Sequence, residues 1–150
     1  MTRRSILLLS GPNLNLLGQR EPEVYGTDTL TDHVRRAEKA AADSGLTLSH
    51  LQSNHEGELI EAIHAARGVE SGIVINGGAF THYAWGIHDA LAAFAGPVVE
   101  VHLSNPDRRE AWRHVSVITP VADALIAGVG GAGYALAVQA PAELLGPGAD

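Results

Sequence analysis

Five short apolar segments, each bounded by turn-forming residues, constrain the fold of this chain more than any other feature. They span residues 6–9, 46–51, 72–75, 98–103 and 115–118. Several are continuously apolar rather than alternating, which is typical of strands that are buried on both faces. These segments predict five strands of a mainly parallel sheet, because parallel sheets are normally covered on both sides by helices.

Apolar stripes at helical spacing lie between these segments. They begin near Leu30, Leu59 and Ile87, and Thr29 and Asp32 form a candidate capping pair for the first helix, with Gly45 as its stop. A further Ala- and Gly-rich helix is predicted over residues 122–140, with close helix packing at the GVGGAG sequence. Pro141 is expected to end it early, so residues 141–150 are predicted to form a frayed tail.

Alternating strands and helices predict an α/β fold, and five strands in 150 residues fit one architecture in particular. This is a flavodoxin-like, doubly wound, five-stranded parallel sheet in which residues 1–150 form a single domain. In such sheets ligands bind outside the carboxyl ends of the strands, near the point where the strand order reverses. The residues that follow each strand are therefore the first candidates for a functional site.

Composition excludes several classes of function. The net charge of −7 argues against nucleic acid or an anionic membrane as the main partner, and the absence of cysteine excludes disulfides and thiolate metal sites. The first apolar run is too short for a signal peptide, and no stretch approaches the ~20 apolar residues of a membrane span, so a cytoplasmic location is predicted. The single lysine, Lys39, lies in a charged helical stretch, which makes lysine imine chemistry improbable.

Polar residues follow nearly every predicted strand. The chain carries Asn13, Arg20 and Tyr25 after the first, Asn76 after the third, and Ser104, Arg109 and Arg113 after the fourth. Because the carboxyl ends of parallel strands meet at one edge of the sheet, these side chains should converge there. Together they predict a site for a small, oxygen-rich anion.

Glu100 and His102 form the clearest pair, since residues two apart on a strand point to the same face. A carboxylate beside an imidazole fixes the tautomer of the ring. The alternative is a histidine that is merely satisfied on a partly buried face. A buried ionic pair in a Val-rich strand is costly without a purpose, which favours the functional interpretation.

The loop at residues 11–26 has sixteen residues, and loops of this length are usually functional or disordered. A lone Tyr25 would most simply anchor the loop on the core. Arg20 changes this interpretation, because a nearby guanidinium favours the phenolate, and a phenolate can act as a general base.

Two other motifs have two interpretations each, and a third is considered as a metal site. Residues 76–78 (Asn-Gly-Gly) are either a turn or a set of backbone amides open to a ligand. His82 and Asp89 are either solvated surface groups or residues that meet a neighbouring subunit and its ligand. His82, His88 and Asp89 are residue types that bind metals, but their spacing matches no standard ligand set, so no metal site is predicted.

Five segments together resemble one enzyme family, the type II 3-dehydroquinate dehydratases. They are GPNLNLLGQREPEVYG, QSNHEGELIEAIH, INGGAFTH, VVEVHLSN and GVGGAGY, and the resemblance runs from about residue 6 to residue 138. It implies dehydration of 3-dehydroquinate to 3-dehydroshikimate, in the shikimate or the quinate pathway, with no cofactor, metal or imine. It also implies a homododecamer, a tetramer of trimers.

The resemblance also implies roles for individual residues. Tyr25, as a phenolate favoured by Arg20, would be the base, with Arg109 as a further contributor. Asn13 would hold a water against the enolate oxygen, and His102, oriented by Glu100, would be the general acid. Substrate contacts would come from Asn76, Gly78, His82, Arg113, the backbone amides of Leu103 and Ser104, and Asp89 of a neighbouring subunit.

The chain departs from the family pattern at positions without a named chemical role. They are Gly77, where Pro or Ala is usual, and Tyr83, Trp85, His88, Asp107, Trp112 and Val115. Tyr83 and Trp85 lie near the expected trimer contact, so substrate shape or assembly is open to change. Two alternatives follow: a weakened paralogue that binds a quinate-like acid or acts on a related substrate, and a flavodoxin-like FMN module. The FMN module would need a Ser/Thr-rich loop after the first strand, which GPNLNLLG is not.

Overall fold

The computed structural model describes residues 4–147, which form a five-stranded parallel sheet covered by helices on both faces. The strands are β1 (Ser5–Ser10), β2 (Thr47–Gln52), β3 (Gly72–Asn76), β4 (Val98–His102) and β5 (Ala124–Ala127). The helices are α1 (Pro22–Tyr25), α2 (Leu30–Asp43), α3 (Glu56–Ala66), α4 (Trp85–Ala92) and α5 (Gly133–Leu145). The strand order β2-β1-β3-β4-β5 confirms the predicted doubly wound sheet and the single domain.

Side chains alternate across the sheet, and both sides are buried. Leu7 and Leu9 of β1 pack on one face under α3 and α4, while Ile6 and Leu8 pack on the other face under α2 and α5. This two-sided burial explains why the strands are continuously apolar in sequence. The chain runs from β1 to β2 on one side of β1 and then crosses to β3 on the other side, so the strand order reverses between β1 and β3.

The capping pair predicted for the first long helix is confirmed. The Asp32 amide donates to Thr29 Oγ1 (3.2 Å), and the Thr29 amide donates to Asp32 Oδ2 (3.0 Å), which is a capping box at the start of α2. The helix ends at Asp43, two residues before Gly45. Within residues 4–147, no helix combines the length and the apolarity that a membrane span requires.

The prediction of a strand at residues 115–118 is wrong. Val117 and Ile118 are buried beside α4, but they lie in an irregular segment where the Val117 amide donates to the carbonyl of Thr81 (2.8 Å). The fifth strand is β5, at the edge of the sheet, where Leu125 is 51% exposed. A short, half-exposed strand has a weaker apolar signal than a buried loop, and this difference explains the error.

The predicted last helix is wrong in its first part, since residues 122–132 contain β5 and the loop after it. That loop holds the GVGGAG sequence, whose amides at Gly128 and Gly130 donate to the carbonyls of His102 (3.3 Å) and Leu103 (3.0 Å). The motif therefore fixes the end of β4. It also contacts helices as predicted, since Arg36 Nη1 of α2 donates to the carbonyl of Gly131 (3.5 Å) and Gly133 begins α5. Helix α5 also continues through the buried Pro141 to Leu145, so residues 141–145 are helical rather than a frayed tail. Residues 148–150 of the predicted tail lie outside the described residues.

Candidate active site

A cavity of about 130 Å³ opens at the carboxyl ends of β1, β3 and β4. Ten of the thirteen site residues expected from sequence line it, which means that the strand ends do converge there. These are Asn13, Arg20, Tyr25, Asn76, Gly78, His82, His102, Ser104, Arg109 and Arg113. The cavity lies beside the reversal between β1 and β3, the place where doubly wound sheets bind ligands.

Tyr25 lies close to two guanidinium groups. The Arg20 and Arg109 Cζ atoms are 4.7 and 5.0 Å from the centre of its ring. Arg109 Nη1 also donates to Ser104 Oγ (3.3 Å), which connects this cluster to the segment after β4. The Tyr25 ring and the two guanidinium groups therefore form one cluster at the cavity.

Asn13 begins the loop that carries Tyr25, and its backbone is held in a left-handed conformation (φ 65°). Its amide donates to Asn54 Oδ1 (2.9 Å), from the segment after β2. The next residues are anchored, since Leu14 and Leu17 are 4% and 2% exposed. The loop is therefore fixed to the core as far as Leu17 and is mostly exposed beyond it.

Asn76 ends β3 and is held from two sides. Its Oδ1 accepts from the Gly78 amide (3.1 Å), and its Nδ2 donates to the Tyr134 hydroxyl (3.3 Å). Residues 76–78 therefore form a turn in which the Gly78 amide is already used. The Tyr134 hydroxyl also contacts Ser10 Oγ (3.1 Å), and burial raises the pKa of Tyr134, which keeps this phenol neutral as a hydrogen-bonding group.

Glu100 and His102 point to the same side of β4, as their spacing predicts. His102 Nε2 lies 2.6 Å from Glu100 Oε2, and the two residues are 8% and 1% exposed. Burial raises the pKa of Glu100, but hydrogen bonds from His102, Thr119 and Ser116 outweigh burial and hold it below 4.5. The ionised carboxylate accepts a hydrogen bond from the Nε2–H group, which leaves Nδ1 as the nitrogen available to a ligand.

His82 and Arg113 form the opposite wall of the cavity. His82 Nδ1 donates to the carbonyl of Val115 (2.7 Å), and burial lowers the pKa of His82, with the nearby Arg113 acting in the same direction. The Arg113 Nε donates to Glu110 Oε2 (2.6 Å), and its guanidinium stacks 4.0 Å above the Trp112 ring. A neutral imidazole beside a guanidinium suits the recognition of hydroxyl or carboxylate oxygens.

Three expected site residues do not line the cavity. Glu100 lies behind His102, Leu103 has its side chain in the core, and Asp89 is exposed on α4. Among residues 4–147, no group of three or more His, Cys, Asp or Glu side chains is arranged to hold a metal ion.

Sequence reasoning missed three residues that support the site, namely Ser116, Thr119 and Tyr134. Tyr134 belongs to the GVGGAGY motif, so its position was marked but its hydroxyl contact with Asn76 was not. Ser116 lies inside the segment that was predicted as a strand, residues 115–118, and Thr119 follows that segment directly. Their hydroxyl groups were therefore not considered as partners of Glu100.

Comparison with known proteins gives a consistent result. The family model described as Dehydroquinase class II matches residues 4–142. Proteins named 3-dehydroquinate dehydratase from Ruegeria pomeroyi and Bacillus licheniformis are 58% and 56% identical, over 95% and 89% of this chain and 96% and 92% of theirs. A type II dehydroquinase structure from Butyrivibrio crossotus superposes with a TM-score of 0.90 at 40% identity, covering 93% of this chain and 97% of that one.

Proposed function

Because the chain belongs to the dehydroquinase class II family, we propose that it dehydrates 3-dehydroquinate to 3-dehydroshikimate. The observation that carries the proposal is the cavity in which Tyr25, close to two guanidinium groups, shares one space with His102. A dehydration next to a ketone needs a base on one side and an acid for the departing hydroxyl on the other. These two residues meet that need.

The first step is proton removal by Tyr25. As a phenolate, Tyr25 takes a proton from the carbon beside the ketone, and the electron pair moves onto the ketone oxygen to give an enolate. The guanidinium groups of Arg20 and Arg109, within 5.0 Å of the ring centre, offset the negative charge of this base. Asn13, in the loop after β1, holds a water that donates to the enolate oxygen and stabilises its charge.

The second step is departure of the hydroxyl group. The enolate re-forms the ketone and a carbon–carbon double bond as the carbon–oxygen bond breaks, and His102 protonates the leaving oxygen to give water. Because Nε2 of His102 faces Glu100, this proton comes from Nδ1 of the imidazolium form, in which both ring nitrogens carry hydrogen, and the ring is left neutral. Glu100 holds the ring in that orientation and balances its charge.

The remaining polar groups hold the substrate. The backbone amides of Leu103 and Ser104 bind the carboxylate, while His82 and Arg113 bind ring hydroxyl groups, with Asn76 and Gly78 shaping the floor. Neither a metal nor an imine takes part. The single lysine of the sequence supports a mechanism without an imine, because Lys39 is exposed on α2 and pairs with Asp43 (3.0 Å).

The proposal extends to assembly and setting. The protein is a homododecamer built from trimers, and Asp89 of one subunit completes the site of its neighbour. The loop at residues 18–26 closes over bound substrate as a lid. The reaction belongs to the shikimate or the quinate pathway, in the cytoplasm.

The test is an assay of the purified protein with 3-dehydroquinate, monitored by the ultraviolet absorbance of the conjugated enone product. We expect turnover in wild-type protein and its loss in His102→Ala, with circular dichroism unchanged. No product at high enzyme concentration would favour the weakened paralogue, whose distinct surface includes the exposed Tyr83 and Trp85. Binding of quinate without turnover would identify that alternative directly.

A further inference from the structure

The carboxylate of Glu100 has more partners than the pair with His102. Ser116 Oγ donates to Glu100 Oε2 (3.0 Å), and Thr119 Oγ1 donates to Glu100 Oε1. Both oxygens of a buried carboxylate are therefore satisfied by hydroxyl groups in addition to the imidazole. These hydroxyls come from the irregular segment between β4 and β5, and both residues are distant from Glu100 in the sequence.

The direction of the Ser116 hydrogen bond is fixed by its surroundings. Ser116 Oγ accepts from the amides of Ile118 (3.1 Å) and Thr119 (3.0 Å), so both of its lone pairs are occupied. Its one hydrogen is left for Glu100 Oε2. A hydroxyl oriented in this way can serve only an acceptor, so Glu100 Oε2 faces two donors, Ser116 Oγ and His102 Nε2, and this arrangement favours the ionised carboxylate.

We infer that Ser116 and Thr119 are positioning residues that hold Glu100 ionised and aimed at Nε2 of His102. Through Glu100 they fix the orientation of the His102 ring that presents Nδ1 to the cavity. The inference deepens the proposed function, because it concerns the group that supplies the proton in the second step. Neither residue lines the cavity that contains Tyr25.

Other charged groups near Glu100 do not replace these hydroxyls. A second cavity of about 300 Å³ meets Glu100 and His102 from the side of the segment after β4, and His82, Asp107, Arg113 and His114 line it. Arg113 is engaged with Glu110, and His82 donates its Nδ1 hydrogen to the Val115 carbonyl. Direct hydrogen bonds to Glu100 come from His102, Ser116 and Thr119.

Thr119→Val is the sharpest test, since valine keeps the shape of threonine and removes only the hydroxyl. Loss of one hydrogen bond to a charged group should lower kcat about tenfold and leave KM nearly unchanged. The pKa of Glu100 should rise, so the acid limb of the kcat profile should move to higher pH. Thr119→Ser, which retains the hydroxyl, should behave like the wild type.

A direct measurement separates this inference from the proposed function. Infrared pH titration of the Glu100 carboxyl, assigned by difference against Glu100→Gln, needs no substrate. A higher midpoint in Thr119→Val supports the positioning role even if the dehydratase assay fails. An unchanged midpoint, or a variant that loses thermal stability while its kcat–pH profile stays that of the wild type, overturns it.

Discussion

At the scale of single residues, the phenol of Tyr25 is the group whose loss should matter most. Tyr25→Phe keeps the ring close to Arg20 and Arg109 and removes only the hydroxyl. Because general base catalysis contributes about 10²- to 10⁴-fold, we expect kcat to fall by that factor. Binding of 3-dehydroshikimate, measured by calorimetry, should persist. Near-normal turnover would show that another group is the base. Tyr134→Phe, which removes a buried hydroxyl instead, is the matched comparison.

The buried carboxylate of Glu100 should also make stability depend on pH. The pKa of Glu100 is held below its ordinary value of 4.5 in the folded protein. The ionised carboxylate therefore stabilises the fold above that ordinary value, and this stabilisation is lost as the pH falls through the lower pKa of the folded state. Urea unfolding should therefore show Glu100→Gln less stable than wild type near pH 7, by about 2 kcal/mol. The difference in the free energy of unfolding between wild type and Glu100→Gln should become smaller below about pH 4.5. Glu61→Gln, at an exposed position, should show no such trend.

At this scale the sequence predicted much of the site but not its support. Residues directly after strands were predictable, because parallel strand ends converge, and the resemblance supplied their roles. The hydroxyls of Ser116 and Thr119 were not, because they reach Glu100 across 16 and 19 residues of irregular chain. Serine and threonine have no pattern that distinguishes such a contact from an ordinary surface position.

Among the elements, the turn after β3 requires a glycine for two reasons. Gly78 has φ +55°, and a Cβ there would lie 3.1 Å from the carbonyl oxygen of Pro12. Gly78→Ala should therefore lower both stability and turnover, since the turn positions Asn76.

Gly45→Ala is the control, because Gly45 also has a positive φ (+76°) but has open space around it and lies far from the cavity in sequence. It should cost about 1 kcal/mol in thermal unfolding and leave kcat unchanged. Equal activity in both variants would contradict the role assigned to the turn.

The loop after β1 divides into an anchored and an exposed part, and the two should respond differently to ligand. Leu14 and Leu17 are buried in the core, whereas most of residues 18–26 are exposed. We expect 3-dehydroshikimate to slow hydrogen exchange in residues 18–26, because the lid closes over it, and to change residues 14–17 little. Mass-spectrometric exchange measures both segments at once. Equal protection of the two parts would mean that the lid does not begin after Leu17.

The elements show where pattern reading succeeds. β1, β3 and β4 were predicted because both of their faces are buried, so nearly every residue is apolar. β5 is half-exposed and Ala-rich, and its signal was lost in the following helix. Pro141 was expected to end that helix, but proline removes only one hydrogen bond, and here it is buried where a Cβ on Gly72 would contact it at 3.4 Å. Tertiary packing therefore overrides a strong local preference.

At the scale of the whole molecule, the proposed trimer makes a prediction that one chain alone cannot satisfy. Asp89 is exposed on α4 and does not line the cavity of its own chain. If it completes a neighbour's site, Asp89→Asn should lower turnover. Co-assembly of Asp89→Asn subunits with Tyr25→Phe subunits should then restore it, because some sites combine an intact Tyr25 with an intact partner carboxylate. In a cyclic trimer mixed at random, about a quarter of the sites are restored.

The matched control is co-assembly of Tyr25→Phe with His102→Ala. Both lesions then lie in the part of the site that one subunit supplies, so each active centre keeps a defect whatever its neighbour contributes. Light scattering on each mixture establishes that it has the mass of the wild-type assembly, and turnover is compared at equal subunit concentration. Recovery in the first mixture alone requires Asp89 to act across the subunit boundary. Equal, negligible recovery in both would restrict the site to one chain and leave Asp89 as a surface residue.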